Sequence, residues 1–153
     1  MKRKKGFSLV EILLSIAVFS ILSVFVLQMF STARNLNENA RELDRSVVVA
    51  ESIFERIQAV QSFETLGGQR GFEHAAYEDE NDASVMTLHY DEAWKTIPVT
   101  ESAPNYKVVV RKQDVPTFNH VVTSYQLKVI KTDPSDRVKE SVLYELEMEI
   151  YYR

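Results

Sequence analysis

The chain has 153 residues, enough for one small domain and one long accessory element. Hydrophobic residues make up 45% and charged residues 26%, a composition that folds and that excludes a wholly disordered chain. The formal net charge is −4, but four of the 18 basic residues (Lys2, Arg3, Lys4 and Lys5) fall in the first six positions; the remainder sets 14 basic against 22 acidic residues, −8, which argues against a generic nucleic-acid binder.

No charged residue occurs from Ile12 to Ala33, a run of 22 positions. A helix needs about 20 to cross the hydrocarbon layer. The expected membrane anchor is Ile12, Leu13, Leu14, Ile16, Val18, Phe19, Ile21, Leu22, Val24, Phe25, Val26 and Leu27, within a span of about 7–33. Ser15, Ser20 and Ser23 are tolerated because a helical serine returns its hydroxyl proton to a carbonyl one turn back. The basic cluster precedes the span and balanced charges follow it, so the positive-inside rule places the N-terminus in the cytoplasm and the rest outside. A basic start before an apolar run also fits an uncleaved single-pass anchor carrying an extracellular binding domain. Ser31-Thr32-Ala33 fits a secreted protein cut after Ala33. Two features oppose both: the run is long for a signal peptide, and Glu11 stands at its front. A carboxylate at a helix centre in lipid costs about 2.5–3.5 kcal/mol, less near the edge, so a charge kept there usually has a partner.

Lys4-Lys5-Gly6-Phe7-Ser8-Leu9-Val10-Glu11, followed at once by an apolar helix, resembles the class III leader of type IV prepilins and pseudopilins. The resemblance implies that a membrane prepilin peptidase cuts between Gly6 and Phe7, removing leader 1–6, and N-methylates the new Phe7 amine. It implies that Glu11 pairs with the Phe7 ammonium of a neighbouring subunit, so that two charges that resist burial bury together and set the axial register. It further implies assembly with other pilin or pseudopilin subunits, by a platform protein and an ATPase that draw the helix from the bilayer. The product is a filament at the cell surface or in the periplasm. Gly6 suits the cleavage position, because a backbone without a side chain enters a tight cleft.

Leu36, Ala40, Leu43, Val47, Ala50, Phe54 and Ile57 recur at alternating spacings of four and three, an apolar stripe on a helix. Arg41 and Arg45 have Glu38 and Glu42 within helical reach. No Pro or Gly lies between Phe7 and Leu66, and Gly67-Gly68 reads as the stop, which predicts a helix over 7–66. The resemblance implies that its lower part packs on the chain's own sheet and its upper part among subunits. Many major pilins bend this helix with a proline. Its absence here points to a minor subunit, and Val49-Ala50-Glu51-Ser52-Ile53-Phe54-Glu55-Arg56 is similar to the minor pseudopilin I and minor pilin V type.

Residues 67–153 read as a globular head. Residues 67–83 read as a loop. Alternation then predicts strands. Met86, Leu88 and Tyr90 share a face, as do Tyr106, Val108 and Val110, and Val121, Thr123, Tyr125, Leu127 and Val129. Ile97 and Val99 flank Pro98, so that strand is an edge or absent. Asp133-Pro134-Ser135-Asp136 is a turn. Val142, Tyr144, Leu146, Met148, Ile150 and Tyr152 face one way, with Glu145, Glu147 and Glu149 opposite. The expected fold class is α+β: a long N-terminal helix packed on a small antiparallel sheet, as in pilins.

No enzyme signature emerges. The chain has no cysteine, and His74, His89 and His120 lack zinc-helix spacing. There is no nucleophile elbow, phosphate loop or dinucleotide fingerprint. No cofactor and no metal are expected. Glu78-Asp79-Glu80-Asn81-Asp82 is dense enough in carboxylates to suggest calcium but lacks the EF-hand pattern, and reads as a solvated loop. Lys107, Arg111 and Lys112 form a small basic patch of the kind that contacts DNA in uptake pili, though three cations are ordinary for a solvated face. The expectation is therefore a structural subunit of a type IV pilus, a type II secretion pseudopilus or a competence pilus.

Overall fold

A computed structural model describes residues 8–60, 64–80, 83–100, 104–116, 121–133 and 136–151. Helix α1 (Leu9–Val60) is followed by a short 3₁₀ helix (Glu64–Gly68). Six strands come next: β1 (Ala76–Glu80), β2 (Ala83–Tyr90), β3 (Thr96–Ile97), β4 (Tyr106–Pro116), β5 (Val121–Asp133) and β6 (Asp136–Tyr151). They form one antiparallel sheet in the order β1-β2-β4-β5-β6. Strand β3 pairs only with His89 and Tyr90 of β2, past the register of β1. The α+β class follows. The chain divides into two compact units, Met1–Arg41 and Glu42–Arg153, so residues 42–60 of α1 group with the sheet.

The core of the second unit is made of rows that cross the sheet. Met86, Val110, Leu127 and Leu146 are successive partners across β2, β4, β5 and β6; Leu88, Val108, Val129 and Tyr144 form the next row. The β2, β4 and β5 members of both rows are fully buried. Ala50, Ile53, Phe54 and Ile57 of α1 join that core, as do Leu66 and Phe72. Period-2 alternation sends each of these strands' apolar residues to one side, and the helix covers that side.

Four expectations need correction. The helix does not run to Leu66. It ends at Val60, and the two glycines sit in the 3₁₀ helix instead. There Gly67 faces the Tyr77 ring so closely that a Cβ would lie 3.2 Å from it. The apolar stripe is buried only at its lower end: Leu36 is 63% and Leu43 44% exposed, while Ser46 and Ile53, off the stripe, are buried. Ser46 satisfies its hydroxyl on the Leu43 carbonyl at 2.7 Å. The segment read as a loop contains β1, an edge strand with both faces wet, where acidic residues meet no desolvation cost. Finally, β6 carries a bulge. Val129 pairs with Tyr144 and Ile130 with Val142, so Leu143 is the extra residue. The bulge turns Val142 to the outer face, 56% exposed, and Leu143 packs against the core in its place.

Candidate assembly site on the N-terminal helix

Ser8 opens α1. Its carbonyl accepts from the Ile12 and Glu11 amides at 3.2 and 2.9 Å, the geometry of an N-cap residue. Ser8 and Glu11 then stand at the Ser-x-x-Glu spacing of a capping box, with Glu11 in the positive first turn. The expectation for Glu11 rested on a partner in another subunit and missed this local spacing, which was legible as a motif. Gly6, Phe7 and the basic cluster lie outside the described residues.

From Leu9 to Phe30 the helix is apolar on all sides and uncovered. All its large apolar residues, the predicted anchor among them, are exposed. Its hydroxyls are internally satisfied. Ser15, Ser20, Ser23 and Thr32 donate to the carbonyls of Glu11, Ile16, Phe19 and Gln28 at 2.8, 2.8, 2.9 and 3.0 Å. Such a surface asks nothing of water. It is stable where lipid chains or other apolar helices surround it. Hydropathy over an 18-residue window qualifies α1 as a candidate membrane span.

The charged residues that follow distribute differently from the expected Arg41 and Arg45 pairs. Glu38 receives Arg34 at 3.0 Å. Glu42 receives Lys131 Nζ on both carboxylate oxygens at 2.7 Å and the Tyr106 hydroxyl at 3.2 Å. This three-way tie fastens the helix to β4 and β5. Burial, then the Glu42 charge and hydrogen bond, push the Tyr106 phenol up to about 12. Tyr106 also stacks on Trp94 at 4.0 Å between ring centroids. Trp94 holds φ 59°, a left-handed conformation that usually goes to glycine, and the stack offsets that cost. Further down, Arg56 donates to the Arg70 carbonyl at 2.5 Å and lies over the Phe72 ring, so it pins the segment that enters β1.

The remaining candidate groups do not converge. Glu78 and Asp79 lie along β1, where successive side chains point to opposite faces, and Glu80 is the strand's last residue. Asp79 accepts from Ser84 at 3.0 Å, and Asn81 and Asp82 lie outside the described residues. Among the described residues no three His, Asp or Glu side chains are close enough to share a metal. The basic patch divides too. Lys107 and Arg111 share the parity of the outer face, whereas Lys112 belongs to the row of Tyr125 and Met148 and sits 3.9 Å from Asp114. Burial, then the Lys107 charge, lowers the His89 pKa. His74 is exposed, and His120 lies outside the described residues.

No curated protein and no solved structure matches the chain. The family model for the prokaryotic N-terminal methylation motif matches residues 1–27. Together with the apolar part of α1, the motif supports membrane anchoring through the N-terminus, processing by prepilin peptidase and assembly with other pilin subunits in general. The chain thus carries the class III signal peptide of type IV pilins and pseudopilins, on an α+β, pilin-like fold.

Proposed function

We propose that this chain is a structural subunit of a type IV pilus, a type II secretion pseudopilus or a competence pilus, without catalytic turnover. The peptidase cuts between Gly6 and Phe7 and methylates the Phe7 amine. The bilayer holds the apolar part of α1, with the N-terminus cytoplasmic, until a platform protein and ATPase move it into a filament. There the same residues pack among neighbouring helices, and Glu11 meets the ammonium of an adjacent Phe7. The observation that carries this reading is the methylation motif joined directly to an uncovered apolar helix. A soluble head domain has no use for such a surface.

The mature N-terminus tests the cleavage. Mass spectrometry of the protein from cells with an active prepilin peptidase should give N-methylated Phe7. An intact Met1 end, or a start at Arg34, would overturn the assignment in favour of an uncleaved anchor or a secreted protein. Glu11 needs a substitution that separates its two roles. Glu11→Gln keeps a capping box, since glutamine also serves at that position, but removes the charge. Filament incorporation should fall sharply while membrane insertion and cleavage persist. Incorporation at the unsubstituted level would rule out the ion pair.

A further inference from the structure

Strand β6 is the last of the sheet, paired with β5 on one side and, among the described residues, with no strand on the other. It is also the longest strand, with 16 residues, so a long row of backbone groups on its outer edge is left without ladder partners. Beside that edge runs a groove of about 470 Å³ between α1 and β6. Phe54, Leu146 and Met148 give it apolar walls, Glu51 and Glu55 of α1 stand along it, and Glu147 of β6 borders it with the parity of the sheet's other face. Those three carboxylates are exposed, and none is in an ion pair among the described residues. Gln58 is held to Met148 Sδ at 2.9 Å and closes one contact across the groove.

The geometry points to this edge as the docking site for an extended strand of a different protein chain, one that alternates apolar residues with Lys or Arg. Adding a strand to β6 would give its open edge hydrogen-bond partners. The period of two would send alternate side chains of the incoming strand towards the groove. Its apolar side chains would meet Phe54, Leu146 and Met148 in the groove, and its cations, on the opposite face, would stand across the ladder from the outward row of Glu145, Glu147 and Glu149. A second copy of this chain is the wrong occupant. Antiparallel pairing of two β6 edges would set Glu145, Glu147 and Glu149 of one copy against the same row of the other, and like charges opposed across a ladder destabilise it. The edge is thus coded against itself and towards a basic strand. The proposal concerns residues 42–153 and stands whether or not the leader is cut.

The full chain in detergent micelles, titrated with a fluorescent peptide alternating Val and Lys, tests this by anisotropy and by hydrogen exchange. The peptide should bind, more weakly as salt rises, and should slow exchange of the β6 amides. A Val/Glu peptide should not bind, nor should the Val/Lys peptide with alternate backbone amides methylated. Neutralising the outward row of β6 with Glu145→Gln, Glu147→Gln and Glu149→Gln together should weaken binding by about tenfold, since each exposed pair contributes little alone. Should the three substitutions loosen the fold, the methylated peptide still decides. Binding that survives amide methylation or leaves β6 exchange unchanged would reduce the effect to charge attraction and overturn the proposal. So would a failure of the Val/Lys peptide to bind, which would leave the glutamates only as guards of the edge. Concentration-dependent self-association that protects β6 would overturn it in favour of a second copy.

Discussion

Leu9–Arg41 and Glu42–Val60 are parts of one helix with the same backbone and opposite surfaces. In the first, apolar side chains cover every face up to Phe30 and none is buried. In the second, apolar residues keep to one side, where Ala50, Ile53, Phe54 and Ile57 enter the sheet's core. The difference teaches that backbone propensity says only that a helix forms. What surrounds the helix is written in how apolar residues are spread around it: all round for lipid or other helices, one face for a sheet.

The largest effect expected from a single change to this division is at Phe54. Phe54→Ala should cost the head about 3–5 kcal/mol, because the ring is buried between helix and sheet and leaves a cavity. Thermal unfolding followed by near-ultraviolet circular dichroism measures the loss, and membrane association should not change. If the protein also left the membrane, the two parts would not be separate in function. The mirror experiment is Leu22→Arg. A charge at the helix centre costs about 3 kcal/mol on insertion, so the membrane fraction should drop while the head unfolds at its usual temperature.

The same contrast explains what could be read beforehand. The leader and the anchor are contiguous, so Lys4 to Ala33 states them without help from distant residues. The inward faces of β2, β4 and β5 were legible because each strand alternates without interruption. The Leu143 bulge was not, because a bulge is defined by the partner strand's register, and Val142 alternates correctly on paper. Strand β1 hid behind its acidic composition. Ser46 hid in the core because its hydroxyl is satisfied within its own helix. The tie of Glu42 to Tyr106 and Lys131 joins positions 64 and 89 residues apart, beyond any local pattern.

The smallest effect sharpens the comparison by pH. Tyr90 and Tyr106 are both pushed up to about 12 from an ordinary 10.0, chiefly by burial. Their raised folded values mean that the native head holds two protons that the unfolded chain has released between pH 10 and 12. Unfolding therefore becomes easier as pH rises through that window, and the contribution is fully present below pH 10. Leu9–Arg41 contains no tyrosine, so the anchor should keep its helicity in detergent while the head loosens. Tyr106→Phe separates the two consequences. At pH 7 it removes the hydrogen bond to Glu42 and should lower stability by about 1 kcal/mol. Between pH 10 and 12 it should make the decline shallower, because one of the two raised phenols is gone. Tyr90→Phe should flatten the same window without touching Glu42. A decline of unchanged slope in both variants would mean that groups other than these two phenols govern the alkaline limit.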